Sequence, residues 1–174
     1  MGLAKGGVKE IALVDPDIVE EKNLGTQVYD PEDVGKYKVD ALAAKIRPYA
    51  KVSTYRARIE DIIDELPDFD LALALTDNIR SRIVVEKRYK TLHAMVQPSH
   101  GMVMMTTKKS KLANIMRNGE YRGHQELSMI MMVASVVIRE ALRYLREGKS
   151  ELEGKLMIVS PYRFEVINLE GSEH

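Results

Sequence analysis

Residues 69–75 read Phe-Asp-Leu-Ala-Leu-Ala-Leu and then break off at Thr76-Asp77-Asn78. A short apolar run closed by polar, helix-starting residues is the pattern of a strand covered on both faces of a parallel sheet. Residues 10–15, Glu-Ile-Ala-Leu-Val-Asp, have the same form. Between the two runs the period changes. Val39, Leu42, Ala43, Ile46 and Tyr49 recur at three- and four-residue spacing and predict a helix within residues 35–50. A strand is expected at residues 52–56 and a shorter amphipathic helix at 59–66. Thr76 or Asp77 is expected to cap the next helix, which runs to about residue 90. Strands alternating with helices imply an α/β fold whose mostly parallel, Rossmann-like sheet is flanked by helices on right-handed crossovers.

The remaining segments extend this plan. Residues 16–34 carry Pro16, Gly25, Pro31 and many acids, and read as a long irregular connection of the kind that is usually functional. Strands are expected at 94–96 and 102–107, and the polar stretch 108–123 has no clear period. Residues 126–147 form a long helix with a wide apolar face, including Leu127, Ile130, Met131, Ala134, Val137, Ile138, Ala141 and Leu145. Residues 155–160 and 163–169 flank Pro161-Tyr162 as a hairpin, which adds antiparallel strands at the C-terminal end. A length of 174 residues suits one domain over 1–174.

Composition removes several classes of function. Lys plus Arg and Asp plus Glu both total 26, so no global field steers the chain towards nucleic acid or a membrane. With no cysteine there is no disulfide, no thiolate zinc site and no covalent thioester step on this chain. The first residues lack the apolar core of a signal peptide, and the longest apolar stretch, 129–138, is about half of what a membrane crossing needs. A cytoplasmic protein is the expectation. His93, His100, His124 and His174 have no metal-ligand spacing and read as structural or surface residues. The methionines at 102–105 and 129–132 read as core filler.

Asp15 stands at the tip of a predicted strand. A carboxylate there lies in the crevice at the strands' carboxyl ends, where it can accept from ribose hydroxyls. It can equally be a solvated turn residue beside Pro16. A glycine fingerprint should lie about 20 residues upstream; only 14 residues precede Asp15, and Gly2, Gly6 and Gly7 do not make the pattern.

The residues that follow carry a resemblance. Asp15-Pro-Asp17-Ile-Val19, with Asn23-Leu24-Gly-Thr26-Gln27 behind it, resembles the D-x-D-x-V-x-x-x-N-L-x-R-Q signature of the ubiquitin-activating-enzyme family of ThiF/MoeB type. Asp33-Val-Gly35-Lys-Tyr-Lys38-Val39 resembles that family's D-x-G-x-x-K-V, and Thr76-Asp77-Asn78 with Arg82 its T-D-N-x-x-x-R. The long helix and closing hairpin resemble the family's C-terminal part. These runs have no place in an NAD-dependent dehydrogenase.

The resemblance implies a residue for each task. Asp15 would bind the ribose of ATP, Asp17 and Asn23 would line the adenylation pocket, and Gln27 would help to position the phosphates. Lys38 would bind the triphosphate and neutralise its charge, and Asp77 would hold magnesium. It also implies ATP-dependent activation of the C-terminal glycine of a ubiquitin-like or sulfur-carrier protein, by a homodimer or a heterodimer with a homologue. Two departures stand beside the matches. The family's first strand and glycine-rich loop have no counterpart, so that strand is expected to be missing, and Thr26 occupies the place of the signature's arginine. A threonine has neither the charge nor the bidentate reach of a guanidinium. An alternative expectation is therefore a non-catalytic subunit that dimerises with a complete homologue.

Overall fold

A computed structural model describes residues 1–115 and 126–170, so His124 and His174 lie outside the described residues. The chain divides into two compact units, Met1–Asp64 and Glu65–His174, and each has its own sheet.

The first unit runs α1 (Gly2–Lys5), β1 (Glu10–Val14), two 3-10 turns (Glu21–Asn23 and Pro31–Asp33), α2 (Lys38–Ile46), β2 (Lys51–Tyr55) and α3 (Ile59–Ile62). β1 and β2 pair in parallel from Glu10↔Lys51 to Val14↔Tyr55, and α2, which links them, packs on both. Ala4, Ile46 and Ala50 form the buried core, with Ile11, Leu13, Leu42 and Val52 against it. The helix predicted within 35–50 occupies only its middle part. Tyr37 is extended at the N-cap, and Pro48, which has no N–H to donate, ends the helix at the residues before it. The predicted helix at 59–66 shrinks to the single turn of α3, ahead of Pro67, which draws the chain into extended backbone.

The second unit runs β3 (Ala72–Ala74), α4 (Ile79–Arg88), β4 (Thr91–Val96), β5 (Gly101–Met105), α5 (Leu112–Ile115), α6 (Leu127–Glu147), β6 (Lys155–Ser160) and β7 (Arg163–Asn168). The sheet order is β3-β4-β5-β6-β7. β3 and β4 are parallel across α4, and the other neighbours are antiparallel. A parallel α/β arrangement with antiparallel strands added at its C-terminal end is the expected class. β3 is shorter than its apolar run because Phe69 leaves the ladder and packs its ring on Tyr89, 5.7 Å between centroids.

α6 lays Met129, Val133, Val137 and Ala141 against β4, β5 and β6. Full burial of one such side chain contributes roughly 1.5–3 kcal/mol. Met104, Met105 and Met129 are core residues, but Met131 is 64% exposed, so the methionine clusters are not uniformly core filler. Glu140 is buried on the same helix because Ser150 Oγ donates to its Oε2 at 2.6 Å and the Glu151 N–H at 3.0 Å. Among the described residues no helix is long and apolar enough to cross a membrane.

Candidate functional site

Three of the candidate residues of the first unit, Asp15, Asp17 and Lys38, come together just beyond the carboxyl end of β1. The Asp15 N–H continues the β1–β2 ladder by donating to the Tyr55 carbonyl at 3.2 Å. Its half-buried carboxylate accepts the Asp17 N–H at Oδ1, 2.8 Å, a turn that suits Pro16 between them. Asp17 Oδ2 then meets Lys38 Nζ at 2.9 Å.

That contact is held by backbone. The Lys38 N–H donates to the Asp17 carbonyl at 2.9 Å, Val19 N–H to Lys36 carbonyl at 2.8 Å, and Gly35 N–H to Val19 carbonyl at 2.9 Å. Ile18 and Tyr37 form an antiparallel bridge between these bonds. Residues 17–19 and 35–38 are thus a two-stranded clasp that brings residues 21 positions apart into contact. Gly35 has φ +87°, in the region that favours glycine, and it is where the chain turns back into the clasp.

The segment enclosed by the clasp is ordered by its own acids rather than irregular, which corrects the sequence expectation. Asn23 Oδ1 accepts the Glu20 N–H at 2.8 Å and closes the first 3-10 turn as a capping box. Asp33 Oδ2 accepts the Asp30 N–H at 3.1 Å and closes the second. Asp33 is 5% exposed and also meets Lys45 at 3.0 Å and Lys36 at 3.1 Å. The Asp30 N–H, with these two ammonium groups, pulls its carboxyl down to about 2. Tyr29 is half-buried, and its hydroxyl donates to the Lys38 carbonyl at 3.4 Å. Burial first, then the charges of Asp15 and Asp33, push that phenol up to about 12.

Asp15, Asp17 and Lys38 therefore come together. Asn23 is buried with its amide oxygen committed to the turn. Gln27 is exposed, and it is its backbone N–H that is tied, to the Asn23 carbonyl at 2.9 Å.

Asp77 belongs to the second unit, just after β3. Neither it nor Thr76 caps α4. Asn78 does, accepting the Arg80 N–H at 2.8 Å and the Ser81 N–H at 3.5 Å. Thr76 Oγ1 instead accepts the Asn78 N–H at 3.2 Å, which leaves Asp77 exposed and outside the cap. Arg82 lies beneath this turn, 2% exposed. Its guanidinium donates to the Ala74 carbonyl at 2.6 Å and the Ala94 carbonyl at 2.8 Å, tying β3 to β4. Burial brings Arg82 down to about 10, against the pull of Asp77, so it stays charged at neutral pH.

A lone exposed carboxylate fits magnesium, which takes one or two carboxylates and draws its other ligands from water and phosphate. The described residues hold no group of three or more metal-ligating side chains.

Comparison with known proteins sets this geometry in a lineage. A profile described as the ThiF family matches residues 1–174. The chain belongs to the ThiF family. It is 32% identical over 91 residues to a probable molybdopterin-synthase adenylyltransferase of Gracilaria tenuistipitata var. liui, covering 49% of this chain and 26% of that protein. It is 34% identical over 89 residues to the adenylyltransferase and sulfurtransferase UBA4 of Debaryomyces hansenii, covering 48% and 20%. The SAMP-activating enzyme E1 of Haloferax volcanii is 33% identical over 89 residues, covering 48% and 33%. The matches thus span about a fifth to a third of these curated relatives' lengths.

Among solved structures, E. coli MccB with AMPCPP and MccA superposes with a TM-score of 0.81 at 18% identity, over 99% of this chain and 60% of that one. E. coli MccB with ATP gives 0.79 at 18% identity, over 98% and 59%. PaaA gives 0.76 at 21% identity, over 97% and 59%. At such identities the likeness is one of fold.

In this ThiF chain the signature residues divide by task. In the first unit Asn23 and Asp33 close the two 3-10 turns, and in the second unit Asn78 and Arg82 hold the turn after β3. Asp15, Asp17, Lys38 and Asp77 are the ones that present charged groups. Sequence reasoning passed over Tyr29, Asp30 and Lys45. A tyrosine and an aspartate just ahead of Pro31, with a lysine one helical stretch on, give only a weak signal, and contact alone identifies them.

Proposed function

We propose that this chain supplies an adenylate-forming site which activates the C-terminal glycine of a ubiquitin-like or sulfur-carrier protein with ATP. The observation that carries the reading is the Asp15–Asp17–Lys38 cluster at the end of β1, fixed by the clasp at 2.8–2.9 Å. In a sheet of this kind ligands bind at the strands' carboxyl ends. Asp15 accepts from the ribose. Lys38 has three N–H donors, and its contact with Asp17 engages one, so the ammonium can meet phosphate oxygens while Asp17 holds it in place. The carrier's carboxylate oxygen attacks the α-phosphorus, the α–β bridging P–O bond breaks, and pyrophosphate leaves. Such a reaction rests on positioning and on cations that meet developing charge.

Asp77 would hold magnesium, which when bound supplies further positive charge to the triphosphate. Gln27, exposed on the segment that the first 3-10 turn anchors, is assigned to phosphate positioning, and Asn23 to the wall of the pocket. The names of the curated relatives support the adenylyl-transfer class, and the MccB complex with ATP supports a nucleotide as ligand of this fold. A dimer, of two copies or with a homologue, and a cytoplasmic site of action, where ATP is at hand, complete the proposal.

ATP–pyrophosphate exchange with a panel of carrier proteins tests it. Exchange that depends on one carrier is the expected result. No exchange with any carrier, while a full-length relative works in parallel, overturns it. A second reading has one observation in its favour, Thr26 in the place of the signature's arginine. It makes the chain a non-catalytic subunit that pairs with a complete homologue. Titration calorimetry with ATP and magnesium separates the two: binding tighter than about 100 μM, roughly 5–6 kcal/mol, favours the catalytic reading.

A further inference from the structure

The last described residue of the second unit, Glu170, is exposed yet has its carboxylate tied to two hydroxyls. Glu170 Oε1 accepts from the hydroxyl of Thr107 and from Ser110 Oγ, the latter at 3.2 Å. Ser110 is 2% exposed, so its hydroxyl is built into the fold rather than borrowed from the surface. The two hydroxyls lie 2.9 Å apart. The turn that carries them is folded around the same atoms. Thr107 Oγ1 accepts the Lys109 N–H at 3.1 Å and the Ser110 N–H at 3.2 Å, while Ser110 Oγ accepts the Thr107 N–H at 3.2 Å.

The other wall of the slot is backbone. Gly154 has φ +67°, and a Cβ built there would lie 2.6 Å from Glu170 Cδ. Any side chain at 154 would therefore displace the carboxylate as well as strain the chain. The Gly154 carbonyl accepts the Leu169 N–H at 2.9 Å, and Asn168 Oδ1 accepts the Glu170 N–H at 3.1 Å, so the residue is aimed by its own strand end. A single carboxylate thus joins the end of the β6–β7 hairpin to the segment that follows β5, far away in sequence but adjacent in space.

We propose that Glu170 is a latch: held in the Thr107–Ser110 slot that glycine at 154 leaves open, it keeps the segment 107–112 closed onto the hairpin, and its withdrawal releases that segment. The segment is also held by the Glu86 carboxylate, which accepts the Leu112 N–H at 3.0 Å. Glu86 holds the start of α5, so Glu170 controls the turn before it.

Hydrogen exchange on the full chain, read by mass spectrometry or NMR, tests the latch in Glu170→Ala and Gly154→Ala. In both, the amides of Lys109 and Ser110 should exchange about tenfold faster, the size expected when a charge-assisted hydrogen bond is removed. The amides of β5 should keep their wild-type rates, and Glu165→Gln on β7 should change neither set. Gly154→Ala could also unsettle the hairpin, so Glu170→Ala decides. A rise of less than about threefold at 109 and 110 in that variant overturns the latch, and so does a rise shared equally with β5, because opening would then be global. Neither readout involves nucleotide, so the latch can fail while the adenylation reading stands, and the reverse.

Discussion

Lys38 and Asp17 form one contact at a site with unequal exposure: the lysine side chain is 16% exposed and the aspartate 62%. A half-open pair of this kind contributes little to stability, yet it aims an ammonium at the carboxyl end of β1. On the proposed role of Lys38, a charge-assisted contact to phosphate, Lys38→Ala should cost at least tenfold in ATP affinity by calorimetry while leaving the melting temperature almost unchanged. Arg82 is the opposite case. Its guanidinium is buried and satisfies two carbonyls at the ends of β3 and β4. Arg82→Ala should lose about 3 kcal/mol in denaturant unfolding, because both carbonyls and their surroundings are left without a partner. Equal destabilisation by the two variants would show that the division between presenting and supporting residues is wrong.

At the scale of elements, the turn between β3 and α4 holds a capping residue beside an exposed carboxylate. Asn78 caps α4, and Asn78→Ala should cost about 1 kcal/mol. Asp77 is exposed and does not cap, so Asp77→Ala should leave stability within about 0.5 kcal/mol while weakening the magnesium-dependent part of ATP binding. The segment between Asp17 and Lys38 holds one acid-sensitive contact of the first unit. Asp33 titrates at about 2 in the fold against an ordinary 3.8. Its contribution is present above pH 3.8 and lost as pH falls through about 2. Asp33→Asn should abolish that dependence and loosen the second 3-10 turn, as read by exchange at the Asp30 amide.

For the whole molecule, acid stability has a second and earlier component. His93 on β4 is fully buried, and neither ring nitrogen has a hydrogen bond, although Nε2 lies 3.3 Å from the Glu86 carboxylate. That approach lacks hydrogen-bond geometry, so the neutral ring is the form the fold holds. Burial, and then the charge of Arg82, depress the imidazole to about 3 from 6.5. The unfolded chain binds the extra proton across that interval, so stability should fall as pH drops below 6.5 and go on falling towards about 3. In His93→Leu, denaturant unfolding from pH 7 to 4 should show a flatter profile. A profile as steep as that of the wild type would mean that the imidazole does not govern this range.

Much of this arrangement could be read directly. β1, the β6–β7 hairpin and the long α6 follow from apolar period and turn chemistry, which act over a few residues. The ordered spacing of Asp15, Asp17, Lys38 and Asp77 was legible as a family pattern. What was not legible depended on distant partners. Thr76 and Asp77 can each cap a helix by residue type, and only the backbone path selects Asn78 instead. Residues 16–34 read as irregular because the hydrogen bonds of Asp30, Asp33 and Lys45 have no periodic signature. Burial of Arg82 and Glu140 runs against their usual preference for the surface, so residue type points away from it. The sequence alone therefore determined the family, because motif spacing and side-chain identity are local properties. Which acids hold the backbone and which stand exposed was decided by tertiary structure, because a carboxylate's role depends on the donors that long-range folding brings to it.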